Sequence, residues 1–517
     1  MRKTALIPVF LSILLLASCG ERKDDGPSLG PALRLVAGDV GAFNASVRVQ
    51  YSLCREIVLS VTDFTGAEVF SETSGGLTPE AAGNTIGFLI TGLRPNHTYS
   101  VTATGYSDGR EGSASLEITT TRGPSGLYGW EQRRSSAPSF PDITIITRGQ
   151  HNPNPPLWTK ERFLSHVLFR DSDGKSFWFF DAFLCLDGYD GLTGRALSVS
   201  PNAHAADRAG WERLAEFFLG ESGALELLDD AVDDAAAAVG SAPPAPRYIV
   251  MAMPDPIMLE YFADKNSSTT YWGAFDDGTV PDFSRASDQV RAASWYIDLC
   301  RSLFNERGYR NLELAGFYII SEELHLAPSF YSGTGLGYSA ADTWNYEYKH
   351  WETVIPEIAS YLHGCNEGLY WIPYFLAPGH RVWKQLGLDM AWMQPNHYWD
   401  TANQHPMATA VTAMKNYRLS MELEFEYSMV EAVMKDGRTG PDGSGNPTFT
   451  YADIPALRDR FREYMTAFKD AGWYGVRPIA LYSGTDALNQ LATSSEAGDR
   501  EIYNELGHFI TDSPLKK

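Results

Sequence analysis

The sequence is short of basic residues and of cysteine, and it has no apolar run long enough to span a membrane in the mature chain. Lys and Arg number 42 against 64 Asp and Glu, a net charge of −22. Nucleic-acid binding needs a basic surface to neutralise phosphates, so this balance excludes DNA and RNA as partners. Of the 5 cysteines, Cys54, Cys185, Cys300 and Cys365 are far apart and none stands in a CxxC pair. That leaves no zinc-ligand spacing, and buried small apolar residues are the reading they fit. His397 and His405 lack a third ligand at usable spacing, so no metal is indicated. What remains is a globular composition, 44% apolar. The 13 Trp, 26 Tyr and 26 Phe suit a large α/β core and a sugar-binding cleft equally well.

The N-terminus reads as an address. Arg2 and Lys3 precede an apolar run over residues 5–17, too short for a mature membrane span. The run ends in Leu16-Ala17-Ser18-Cys19, which resembles a bacterial lipobox with Cys19 as the lipidated residue. The following Lys23-Asp24-Asp25 resembles the surface-export signal of Bacteroidota lipoproteins. This predicts a signal peptide at 1–18, a tether at 19–30, and a chain anchored in the outer membrane by lipid alone and facing the cell exterior.

Residues 31–122 alternate apolar and polar positions between turn clusters, as in Ser46–Tyr51 and Ile57–Val61, which predicts a small all-β sandwich. The segment Leu93-Arg94-Pro95-Asn96-His97-Thr98-Tyr99 resembles the corner and buried tyrosine of fibronectin type III domains. Such a domain would act as a spacer. A Pro/Gly/Ser-rich linker follows at 123–141.

From residue 142 to 513 short apolar runs alternate with helical patterns, the mark of parallel β and α units. Eight candidate strands lie at about 143–147, 178–183, 248–253, 314–320, 369–375, 390–394, 421–425 and 478–482. They predict an α/β fold, a TIM-like (β/α)8 barrel. No glycine-rich phosphate loop follows any of them, which argues against an open doubly wound sheet. Long loops at 255–285, 328–343 and 435–453 would lie on the active-site face. The oxygen-rich 436–446 stretch lacks the spacing of a calcium loop.

Two acidic clusters stand at strand ends. In Tyr318-Ile319-Ile320-Ser321-Glu322-Glu323, residues 318, 320 and 322 share a face. In Ser420-Met421-Glu422-Leu423-Glu424-Phe425-Glu426 the three glutamates share one. A barrel strand must turn its apolar face to the helices, so these glutamates point inward. Glu322 then follows the fourth strand and Glu424 lies on the seventh. Retaining glycosidases of the large barrel clan carry their acid/base and nucleophile there, a likeness that makes Glu322 and Glu424 the candidate catalytic pair. Glu323, Glu422 and Glu426 are the alternatives. Asp181, Tyr318, Trp371, Tyr374, Gln394, Asn396, His397, Tyr398 and Tyr482 are candidate substrate-binding residues, because strand-end amides, hydroxyls and rings suit sugars.

Phe180-Asp181-Ala182-Phe183-Leu184, Gly368–Phe375 and Gln394-Pro395-Asn396-His397-Tyr398, with Gly316–Glu323 and Glu422–Glu426, resemble the family known as domain of unknown function 4855. The resemblance spans about residues 142–513 and implies a glycosidase-like barrel in a carbohydrate context. One departure from the better-known barrel clan is Ser321 before Glu322, where that clan has Asn. The expected activity is hydrolysis of glycosidic bonds in a poly- or oligosaccharide by paired glutamates, with no cofactor. The alternatives are a non-catalytic surface glycan-binding protein and an adhesion or scaffold lipoprotein.

Overall fold

The computed structural model describes residues 30–40, 45–63, 66–77, 84–90, 93, 98–120, 140–148, 157–334, 336–435, 437–438, 448–484 and 486–516. The lipobox and Cys19, the 19–29 part of the tether, residues 94–97 of the expected corner, most of the linker and most of the oxygen-rich 436–446 stretch lie outside them. The chain divides into two compact units.

The N-terminal unit contains β1 (Ala32–Val40), β2 (Ala45–Ser52), β3 (Glu56–Thr62), β4 (Glu68–Gly75), β5 (Asn84–Ile90), β6 (Thr98–Ser107) and β7 (Arg110–Thr119). They form two sheets, β1-β2-β5 and β4-β3-β6-β7, the sandwich expected for a fibronectin type III-like domain. Period-two burial carries it: Val47 and Val49, Ile57, Leu59 and Val61, and Tyr99, Val101 and Ala103 all point inward. The β6–β7 hairpin turns on Asp108 and Gly109, both at positive φ (48° and 78°). A two-residue turn matching strand twist needs that conformation at both positions.

The second unit is a closed barrel. Its strands are β8 (Asp142–Thr147), β11 (Ala182–Leu186), β12 (Arg247–Met253), β13 (Leu312–Ile319), β14 (Gly368–Trp371), β15 (Met390–Met393), β16 (Ser420–Glu424) and β17 (Ile479–Tyr482). β9 (Leu168–Arg170) and β10 (Ser176–Trp178) form a separate antiparallel ribbon. Barrel strands pair in parallel and in chain order, with β17 closing on β8. Helices such as Arg208–Leu219, Ala286–Arg307, Trp351–Gly364 and Ile454–Asp470 alternate with them. Among the described residues no helix is long and apolar enough to cross a membrane. Cys54, Cys185 and Cys300 are buried as expected, but Cys365 is exposed, just past the end of helix Trp351–Gly364.

The second barrel strand differs from the sequence expectation of 178–183. It begins four residues later, at Ala182. The apolar run there is nearly continuous, so burial on both faces leaves no alternation from which to read the frame.

Register fixes which side chains face the lumen. Glu422 pairs with Ala480 and Glu424 with Tyr482, while Tyr318 pairs with Ala252 and Tyr370. Parallel partners share a face, so Tyr318, Tyr370, Trp392, Glu422, Glu424 and Tyr482 lie on the inner one. The outer face of β16, Met421 and Leu423, is buried, and beyond it Phe425 packs on Phe461 of helix Ile454–Asp470 at 5.0 Å. Gly316 is required where β13 meets β14. Its φ is +152°, and a Cβ there would stand 2.1 Å from the Gly368 carbonyl oxygen.

The N-terminal end of the barrel is plugged. Phe140 packs against Tyr248, Tyr370 and Trp392 at 5.9, 5.5 and 6.4 Å. Beside them the fully buried Arg247 pairs with Asp181 and donates to the Phe180 and Ala245 carbonyls. Lys516, near the C-terminus, reaches Asp142 at 2.9 Å and Asp181 at 3.2 Å.

Candidate active site

The C-terminal ends of the strands assemble the acidic groups. β13 runs through Ile320 and Ser321 into Glu322, and β16 ends at Glu424. β15 leads into Gln394 and Asn396 between them. The Gln394 amide donates to Glu322 Oε1 at 3.0 Å. The Asn396 backbone N–H donates to Glu424 Oε2 at 2.7 Å, and the Asn396 side-chain amide donates to the Tyr374 hydroxyl at 3.0 Å. Asn396 has φ +54°. Asparagine tolerates this left-handed conformation better than most residues, and here it turns backbone and side chain to different site groups.

The glutamates differ in environment. Glu424 is 1% exposed yet holds two donors, since the Tyr464 hydroxyl also reaches its Oε2, at 2.5 Å. Burial raises it to about 8 against these two bonds, with the Glu322 charge adding to the rise. Glu422 lies one inward position deeper. Its Oε1 has no hydrogen-bond partner, and burial, then the charges of Glu424 and Glu322, push it well above the usual carboxylate range. Donors favour the charged form, so Glu424 is the better-supported anion and Glu422 the better holder of a shared proton. Glu322 is open to solvent although protein surrounds it, as on the wall of a cleft. Desolvation raises it, with the Gln394 bond opposing and the Glu323 charge adding. Glu426 accepts from Tyr482 at 2.9 Å. It lies against Gly484 (φ +56°), where a Cβ would come within 2.1 Å of its Oε2.

The structure therefore brings together Glu322, Glu422, Glu424, Glu426, Tyr318, Tyr374, Gln394, Asn396 and Tyr482. Glu323 turns away into a 3.0 Å pair with His325. Three other positions are corrected, and His397 has a helix partner. Asp181 stands at the opposite end of the barrel in the Arg247–Lys516 cluster, because β11 begins after it. Trp371 has outward parity, is fully buried, and donates to the Ser321 carbonyl at 2.7 Å. Tyr398 is fully buried, with its hydroxyl on Ser428 at 2.7 Å. His397 pairs with Glu463 on helix Ile454–Asp470. The loop after β12 carries Phe262, Tyr271, Trp272 and Phe275. Most are spent on packing, as in the 5.4 Å contact of Trp272 with Trp211, and Phe262, Trp272 and Phe275 are buried.

Sequence reading missed three groups. Tyr464 sits on an outer helix, and no local pattern ties it to Glu424. His405 contacts the Tyr374 hydroxyl at 3.2 Å. Asp255, two residues past β12, accepts from the Ser321 hydroxyl and is pushed up to about 7, chiefly by burial. Its place directly after a predicted strand was the available signal.

The model of the family described as domain of unknown function (DUF4855) matches residues 142–331 and 334–439. The chain belongs to this family. The DUF4855 match takes in the first seven barrel strands and ends before β17. No curated protein matches the chain. Among solved structures it is similar to a Bacteroides uniformis β-glucuronidase, at 10% identity over 88% of this chain and 46% of that one, with TM-score 0.30. A putative β-galactosidase from Bacteroides fragilis matches at 11% identity over 87% and 54%, with TM-score 0.28. The chain spans about half the length of these two enzymes. The fibronectin type III domain of human collagen α-1(XX) matches at 19% identity over 20% of this chain and 92% of that domain, with TM-score 0.15. Scores this low add nothing to the fold, which rests on the strand topology above.

Proposed function

We propose that this DUF4855 protein is a surface lipoprotein that hydrolyses glycosidic bonds, with Glu322 as acid/base and Glu424 as nucleophile. One observation carries the reading: glutamates from the fourth and seventh barrel strands meet at the C-terminal end with Gln394 and Asn396 between them. Glu322, raised and solvent-accessible, would give its proton to the glycosidic oxygen as the C–O bond breaks. Glu424 would attack the anomeric carbon, forming a glycosyl ester. Water, deprotonated by Glu322, would then release the sugar and regenerate both groups. Tyr374, Gln394, Asn396 and Tyr482 would bind hydroxyls, while Tyr464 holds Glu424. The lipobox and acidic tether support anchoring through Cys19.

The test is a screen of the purified mature chain on plant, microbial and host glycans, with Glu322→Gln and Glu424→Gln alongside. Products from the wild type, lost in both variants, support the assignment. Equal hydrolysis by all three rules it out, and binding without products points to the glycan-binding alternative.

A further inference from the structure

Beside the glutamates stands a group that the proposed chemistry does not use. Lys349 is 6% exposed, and among the described residues no hydrogen-bond acceptor or carboxylate lies within bonding distance of its ammonium. It rests over the rings of Trp344 and Phe262 at 5.3 and 5.5 Å. Cation–π contact holds an ammonium in place but satisfies none of its three N–H groups. Burial of the side chain pulls Lys349 down to about 8, against the charges of Glu323 and Asp255, which favour the ammonium. A second cation stands beside it. Lys265 lies over Phe262 and Tyr348 at 3.8 and 4.2 Å, close enough that its charge disfavours that of Lys349. The carboxylates of Glu323 and Asp255 act on Lys349 without bonding it, so its N–H groups stay open to an arriving anion.

The position is on the face of the candidate site. Phe262 and Lys265 come from the loop after β12, and Trp344 and Lys349 from the loop after β13, the strand that delivers Glu322. The charges of Glu323, next in the chain to Glu322, and of Asp255 both act on Lys349. Trp344 is 51% exposed, so its ring offers a flat apolar surface beside the ammonium, in a protein whose other loop aromatics are largely packed. A ring to stack on and a cation at its edge match a sugar that carries an acid.

We propose that Lys349, Lys265 and the exposed ring of Trp344 form a subsite for an acidic sugar residue, one bearing a carboxylate or a sulfate. The proposal rests on the glycan reading above and names the substrate class. The anion would take the free N–H groups of Lys349 while the sugar ring stacks on Trp344. Neutral sugars would leave the ammonium as it is.

The experiment is calorimetric titration of the full mature chain with matched pairs of oligosaccharides. One arm uses oligogalacturonates and their methyl esters, which share a backbone and differ in charge. The other uses sulfated galactan oligosaccharides and their desulfated forms. The acidic member of a pair is expected to bind about 10–100-fold more tightly, as for one charge-assisted contact. The preference should collapse in Lys349→Met and persist in Lys349→Arg. Lys265→Gln, at an exposed position, should reduce it severalfold and covers the case in which Lys349→Met does not fold. The arm with the larger preference identifies carboxylate or sulfate. Equal binding of charged and neutral members, or an undiminished preference in Lys349→Met, overturns the subsite and leaves the hydrolase reading standing. No binding of any saccharide overturns both.

Discussion

Tyr464, on a helix outside the barrel, donates its hydroxyl to Glu424 inside it at 2.5 Å. The bond favours the ionised carboxylate, and its loss would favour the protonated one. Tyr464→Phe is therefore expected to move the acid limb of the kcat/KM profile to higher pH and to lower the rate about tenfold at neutral pH. A purely structural role would lower the amplitude without moving the limb. The pH profile of the variant, on whichever glycan is cleaved, checks this.

If Glu322 and Glu424 have the proposed roles, they should respond differently to the leaving group. Glu322→Gln is expected to lose about 10²–10⁴-fold on natural glycosides, which need a proton on departure, and much less on aryl glycosides, which do not. Glu424→Ala should lose activity on both, and added azide should restore it by occupying the vacated position as a nucleophile. Steady-state kinetics with matched alkyl and aryl substrates separates the roles.

Stability should fall as pH rises through the neutral range. Burial raises Asp142 to about 6, and Glu426 and Asp255 to about 7. Each folded value lies above the unfolded one, so the native state holds protons that the unfolded chain has released. Their contribution is complete below the ordinary carboxylate range and is lost as pH passes through about 6 to 7. Glu422→Gln imitates the protonated acid. It should match the wild type at pH 5 and be more stable by about 1–3 kcal/mol at pH 8. Thermal melts across pH 5–9 test both statements.

At the opposite end, Arg247 is fully buried with Asp181 as its ionic partner. Arg247→Met leaves Asp181 with Lys516 at 3.2 Å, so the cost should fall below the about 3–5 kcal/mol of a stranded buried charge, to about 1–3 kcal/mol. Arg247→Met should show that loss in denaturant melts. The kcat of the remaining folded fraction should be unchanged, since the cluster lies at the far end of the barrel from the glutamates.

The proposed lipid anchor depends on one sulfur, that of Cys19. Cys19→Ser should abolish labelling with an alkyne fatty acid and release the protein from the membrane fraction. Persistent labelling would refute the proposed lipidation.

Much of the architecture was legible because it is written locally. The alternation of Glu422, Glu424 and Glu426 with Met421, Leu423 and Phe425 dictates which side of β16 is acidic, whatever the strand's neighbours. The same logic failed at 178–186, where an apolar run broken only by Asp181 has no phase, and Asp181 was assigned to the wrong end of the barrel as a result. Trp371 and Tyr398 were misplaced for another reason. A ring at a strand end packs into the core or opens to a cleft according to what covers it, and neither residue names its cover.

The sequence by itself determined the eight-strand succession, the inward face of the glutamates and their place on the fourth and seventh strands, because period-two patterning and chain order are local properties. Only the tertiary structure decided that Gln394 would meet Glu322, that the Asn396 backbone and Tyr464 would hold Glu424, and that Lys349 would lie against Trp344 and Phe262 with no bonded partner among the described residues. Those relations depend on strand register, barrel closure and the path of long loops, and these bring together residues up to 87 positions apart that carry no local trace of one another.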